Sequence, residues 1–70
     1  MNKKLKAQIF LHFGSQRAFA FKLMEEESYV SKVVGGWRTP APEKQAVWAE
    51  ALKCEVGEIF PAETVKKAYQ

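Results

Sequence analysis

The sequence predicts an all-α domain of five short helices, the second and third joined by a tight corner as a helix-turn-helix. Three observations carry this. Phe19, Ala20 and Leu23 make one apolar stripe and Val30, Val33 and Val34 make another, each at the spacing of an amphipathic helix. Only Met24 to Glu27 separates the stripes, which leaves room for a turn and nothing more, and two short helices over such a turn form the helix-turn-helix unit. Glycine and proline punctuate the chain at Gly14, Gly35-Gly36, Pro42 and Pro61, where helices end or begin. Helices this short do not stay folded alone, so each must bury its stripe against the others.

At 70 residues the chain is one domain with a small core, near the lower limit for folding without staples. A hydrophobic fraction of 47% with 13% aromatic residues is too apolar for a disordered tail. The lone Cys54 cannot form an intrachain disulfide, so the core itself must hold the fold, as suits a reducing compartment. The start, MNKKLKAQIFLHF, is basic but has no long apolar run and no small-residue cleavage site. The expectation is therefore a cytoplasmic chain with no signal peptide and no membrane span.

Helix 1 is expected over Lys4 to Phe13, with Leu5, Ile9, Phe10 and Phe13 facing inward. Gly14 caps it and Ser15 caps the next helix. His12 has no second histidine and no nearby cysteine, so it is expected as an exposed or boundary side chain and no metal is expected. Helix 2 runs from Gln16 to about Met24, with Ala20 small enough to let two crossing helices approach. Phe21 sits on a different side from Phe19; it either packs against helix 1 or the tail, the reading adopted, or forms an exposed contact. Helix 3 covers Glu27 to Val34, its first turn met by Glu25, Glu26 and Glu27, with Glu26 as a carboxylate cap. Gly35-Gly36 ends it.

Trp37 to Pro42 reads as an ordered turn, in which Trp37 either covers the edge of the core or lies outward beside Arg38. Pro42 suits the first turn of helix 4, which runs to Lys53 with Ala46, Val47, Trp48, Ala49 and Leu52 as its apolar surface. Cys54 reads as a small buried hydrophobe. Helix 5, Val56 to Phe60, closes the core with Ile59 and Phe60 and stops at Pro61. The layout is a basic N-terminal arm over 1–4, the domain over 5–61, and a short C-terminal tail over 62–70 that could be helical and supply a dimer contact.

Charge is unevenly placed. The net +3 arises at the two ends: residues 1–15 hold three lysines and no acid, residues 16–36 are neutral, and residues 37–60 sum to minus one. The predicted helix-turn-helix is thus not basic in itself, which weighs against nucleic acid on charge alone.

The chain resembles the phage repressor and Cro-like, or XRE-type, helix-turn-helix family over residues 5–61. The residues that carry the likeness are Phe13-Gly14-Ser15-Gln16, Ala20, Leu23, Val30, Val33, Gly36, Ala51-Leu52 and Ile59-Phe60-Pro61. Three departures stand out. Met24 replaces the glycine of the turn, Glu25 replaces an apolar half-buried residue, and Val34-Gly35 stand where members often carry an acid or asparagine. The resemblance implies a compact five-helix lambda-repressor-like domain that binds double-stranded operator DNA as a homodimer, at least on DNA, and represses transcription. It places Glu27, Ser28, Ser31 and Lys32 toward the bases and Gln16, Arg17, Trp37, Arg38 and Thr39 toward the DNA backbone. No cofactor, small-molecule ligand or membrane enters this reading.

The chemistry fits those roles. Lysine donates to guanine O6 and N7, glutamate accepts from the cytosine amino group, and serine serves either partner. A competing class is a protein-interaction module of antirepressor type, using Phe21, Tyr29 and Trp37 as an apolar patch. An enzyme is not expected: no nucleophile–base pair is visible, and the paired carboxylates lie on a convex corner rather than in a cleft.

Overall fold

Asn2 starts the first helix and ties it to two others. Its side-chain oxygen accepts from the Leu5 backbone N–H at 3.0 Å, capping α1 (Lys3–Phe13). Its own backbone N–H donates to the Val34 carbonyl at 2.7 Å, and its side-chain amide donates to the Ile59 carbonyl. In this computed structural model, which describes residues 1–61, the stretch read as an arm over 1–4 is therefore anchored at Asn2, and helix begins at Lys3. The expected tail helix and dimer contact lie outside the described residues.

The described residues form four further helices and no strand: α2 (Gln16–Lys22), α3 (Glu27–Gly35), α4 (Pro42–Ala51) and α5 (Val56–Ile59). Gly14 ends α1 in the left-handed region (φ 85°), and the Ser15 hydroxyl accepts from Ala18 N–H at 3.0 Å to open α2. Helix α2 stops at Lys22, earlier than expected, because Met24 adopts φ 57°. Met24 N–H then donates to Phe21 O (3.2 Å) and Glu25 N–H to Ala20 O (2.8 Å). This is the paired-bond C-terminal cap that normally recruits glycine. Lys53, at φ 55°, ends α4 in the same way, with Lys53 N–H donating to Glu50 O and Cys54 N–H to Ala49 O. Glu26 precedes α3 but makes no side-chain cap, contrary to expectation; its carbonyl accepts from Tyr29 and Val30 instead. Helix α5 opens with a reciprocal cap between Glu55 and Glu58.

All five helices contribute to one core: Leu5 and Ile9 from α1, Phe19 and Ala20 from α2, the three valines of α3, Trp48 and Ala49 from α4, and Leu52 and Ile59 below. Trp48 is its centre. It is fully buried, with Phe19 edge-on at 5.1 Å, Tyr29 edge-on at 6.1 Å and Phe60 tilted at 6.2 Å. Perpendicular pairs of this kind set a positive ring edge against a negative face. The Trp48 indole N–H has no hydrogen-bond partner among the described residues.

Five side chains depart from the expected burial, Ala46 of α4 among them, which is exposed. Phe21 is 86% exposed and Phe10 47% exposed. Both lie too far round their helices from the stripe that the neighbours can cover. Val47 likewise faces outward while Trp48 beside it turns in. Cys54 is half-buried against the core rather than enclosed. Burial pushes its thiol pKa up, and the carboxylates of Glu58 and Glu55 add to the effect.

Candidate nucleic-acid interface

The outward face of α3 follows from its inward one. Val30, Val33 and Val34 are buried, and the 3.6-residue period then turns positions 28, 31 and 32 away from them, while Glu27, on the flank of the buried stripe, is exposed as the first residue of the helix. Glu27, Ser28, Ser31 and Lys32 are all exposed, and they make one contiguous polar surface. Among the described residues none of the four has its side chain in an internal hydrogen bond or ion pair.

Gln16 opens α2, half-buried beside the Ser15 cap, and Arg17 follows it into solvent. Phe21 lies one turn beyond Arg17 on the same side. At the other end of α3, Gly36 adopts φ 90° and lets Trp37 N–H donate back to Lys32 O at 2.9 Å. Trp37 is 82% exposed and takes the outward alternative. Its ring rests on Gly35: a Cβ there would sit 3.0 Å from Trp37 Cδ1. Arg38 and Thr39 are exposed beyond it.

Glu25 explains its own departure from the apolar pattern. Its carboxylate accepts from Lys44 Nζ at 2.9 Å, which draws it off the outer surface toward α4. The same ammonium lies 5.0 Å from the Tyr29 ring centroid, and the Arg38 guanidinium lies 6.0 Å from it, within the range of cation–π attraction. The hydrogen bond to Glu25 raises the Lys44 pKa above 10.5; desolvation opposes this, and the charges of Glu25 and Tyr29 reinforce it. One acid of the corner is therefore paired internally, while Glu26 and Glu27 stay exposed.

A feature that sequence reasoning missed lies at the end of α3. The bonds of Asn2 bring the start of α1 beside the loop after α3, so that Lys3 and Lys4 line one cleft of about 470 Å³ together with Arg38 and Thr39. In the sequence these cations belong to separate segments, which the packing of α1 against α3 and the long-range bond between Asn2 and Val34 bring together. A second depression, about 320 Å³, lies between the corner and α4, lined by Leu23, Glu25, Lys44 and Val47 among others.

No three His, Cys, Asp or Glu side chains gather as a metal site among the described residues. No helix among them is long and apolar enough to cross a membrane. Comparisons with known protein families, with curated proteins and with solved structures find no match to this chain.

Proposed function

We propose that this protein is a sequence-specific double-stranded DNA-binding transcriptional regulator. It is read as a small Cro-like repressor with a lambda-repressor-like domain, in which α2 and α3 form the helix-turn-helix and α3 docks in the major groove. The observation that carries the reading is the solvent-facing polar surface of Glu27, Ser28, Ser31 and Lys32 on α3, with Gln16 and Arg17 at the start of α2 and Trp37, Arg38 and Thr39 in the loop that follows α3. Lys32 addresses guanine, Glu27 the cytosine amino group, and the serines either partner. The flanking residues hold phosphates, which position the protein without reading sequence.

A single protomer offers few cations to DNA, and each phosphate neutralised adds only about 0.9 to the salt slope. A homodimer with its two α3 helices roughly 34 Å apart doubles those contacts and addresses a two-fold operator.

The test is an NMR titration of labelled protein with short duplex DNA at low salt. Shifts concentrated at Gln16, Ser28, Ser31, Lys32 and Arg38 support the reading. A second reading, a protein-interaction module of antirepressor type, draws on the exposure of Phe21 and Trp37. Shifts limited to lysines distant from α3, fading quickly with salt, put that second reading first.

A further inference from the structure

We propose that the cleft between the start of α1 and the loop after α3 seats a phosphate of the DNA strand, held by Lys3, Lys4 and Arg38. This rests on the DNA-binding reading above and extends its footprint to a part of the chain outside the helix-turn-helix.

Charge and shape favour this occupant. Lys3, Lys4 and Arg38 are exposed around the cleft, while Val33, Phe60 and Pro61 give it an apolar floor. Among the described residues the cleft's one acid is Glu58, whose carboxylate is drawn into α5, where it accepts from the Glu55 N–H at 2.8 Å. The opening therefore presents net positive charge over an apolar base, matched to a phosphate with a sugar beside it.

Placement selects the DNA strand over other anions. A nine-residue α3 is about 13.5 Å long at 1.5 Å per residue, comparable to the roughly 12 Å width of the major groove. A helix seated across that groove brings its end to a phosphate backbone, and the cleft adjoins that end at Gly36. The lysines are also held in place. Asn2, immediately before them, is fixed by bonds to Val34, Leu5 and Ile59, so little chain entropy is lost when they engage a phosphate.

The experiment measures binding by fluorescence anisotropy to a duplex of about 20 base pairs, two helical turns, across a salt series. The proteins are the wild-type chain, the double variant Lys3→Gln/Lys4→Gln, and Lys53→Gln, whose lysine is exposed and does not line the cleft. The double variant is expected to lose about 0.9 from the salt slope and roughly 8-fold in affinity at 0.1 M salt for each protomer bound, one phosphate contact being worth 10 to the power 0.9. Lys53→Gln is expected to leave the slope unchanged.

A wild-type chain that binds DNA with a slope the double variant shares overturns the cleft alone. An equal loss per charge in Lys53→Gln also overturns it, because the attraction is then diffuse. A wild-type chain that binds no duplex at low salt overturns the DNA reading and this proposal with it. If such a chain instead binds a poly-glutamate peptide, and the double variant does not, the cleft belongs to an acidic peptide.

Discussion

Met24→Gly should stabilise the protein even though it removes a large apolar side chain. Met24 sits at φ 57° at the end of α2 and is 93% exposed, so truncation forfeits almost no buried surface. Its backbone supplies the N–H that pairs with Phe21 O, and glycine keeps that bond. For a residue with a Cβ, the left-handed conformation costs roughly 1–2 kcal/mol. Against that, glycine loses more conformational freedom on folding, about 0.5–1 kcal/mol.

The difference is a gain of about 0.5–1 kcal/mol, which in a domain of this size raises Tm by about 3–6 °C. Thermal unfolding followed by circular dichroism, with chemical denaturation in parallel, measures it. Lys53 has the same backbone conformation and also faces solvent, so Lys53→Gly serves as an independent replicate. Met24→Val should shift Tm the other way, since a β-branched side chain fits φ > 0 poorly. If Met24→Gly lowers Tm while Lys53→Gly raises it, Met24 makes contacts that its exposure conceals, and the strain argument fails at the corner.

Four other outcomes are expected. Asn2→Ala removes the α1 cap, worth about 0.5–2 kcal/mol, and strips a partner from the Ile59 carbonyl, so denaturant unfolding should show a loss of about 2–3 kcal/mol in all; a loss below 0.5 kcal/mol would mean that Asn2 ties nothing together. Leu52 is fully buried, and Leu52→Ala should cost about 2–5 kcal/mol, most of the stability open to a domain of this length, visible as a near-flat thermal melt. With its pKa raised above the ordinary 9.0 by burial, the Cys54 thiol should alkylate with iodoacetamide more slowly than a free thiol at pH 8. Because the raised value belongs to the folded state, its share of stability is intact below pH 9 and is lost as pH rises through it; an alkylation rate equal to that of a free thiol would contradict this. On the proposed DNA surface, Glu27→Gln removes a carboxylate that repels phosphates. It should raise affinity for random duplex and narrow its gap to the operator, and unchanged binding to both would remove Glu27 from the interface.

Much of the fold was legible because helical period and punctuation are local signals. The valines of α3 define its buried side from spacing alone, and the same spacing places Ser28, Ser31 and Lys32 outward. Met24 stands where the resembling family carries glycine, a departure that pointed to an adjusted or strained corner, and the structure gives it φ 57°. Phe21 misled because an aromatic residue in a short helix argues for burial, whereas its angle from Phe19 and Leu23 puts it in solvent. Glu25 could not be understood from its neighbours in sequence, since its partner Lys44 lies on another helix.

By itself the sequence determined that the described residues are helical, where their helices begin and end to within a residue or two, and that the valines of α3 turn inward. These follow from residue spacing, capping and backbone preference, all of which act over a few residues. Only the tertiary structure decided that Trp48 stands at the centre of the core, that Asn2 binds the ends of α3 and α5 to the start of α1, and that Lys3 and Lys4 share a cleft with Arg38. Those facts depend on contacts between distant segments. Such contacts are set by how five small apolar faces close on one another, and no local pattern encodes them.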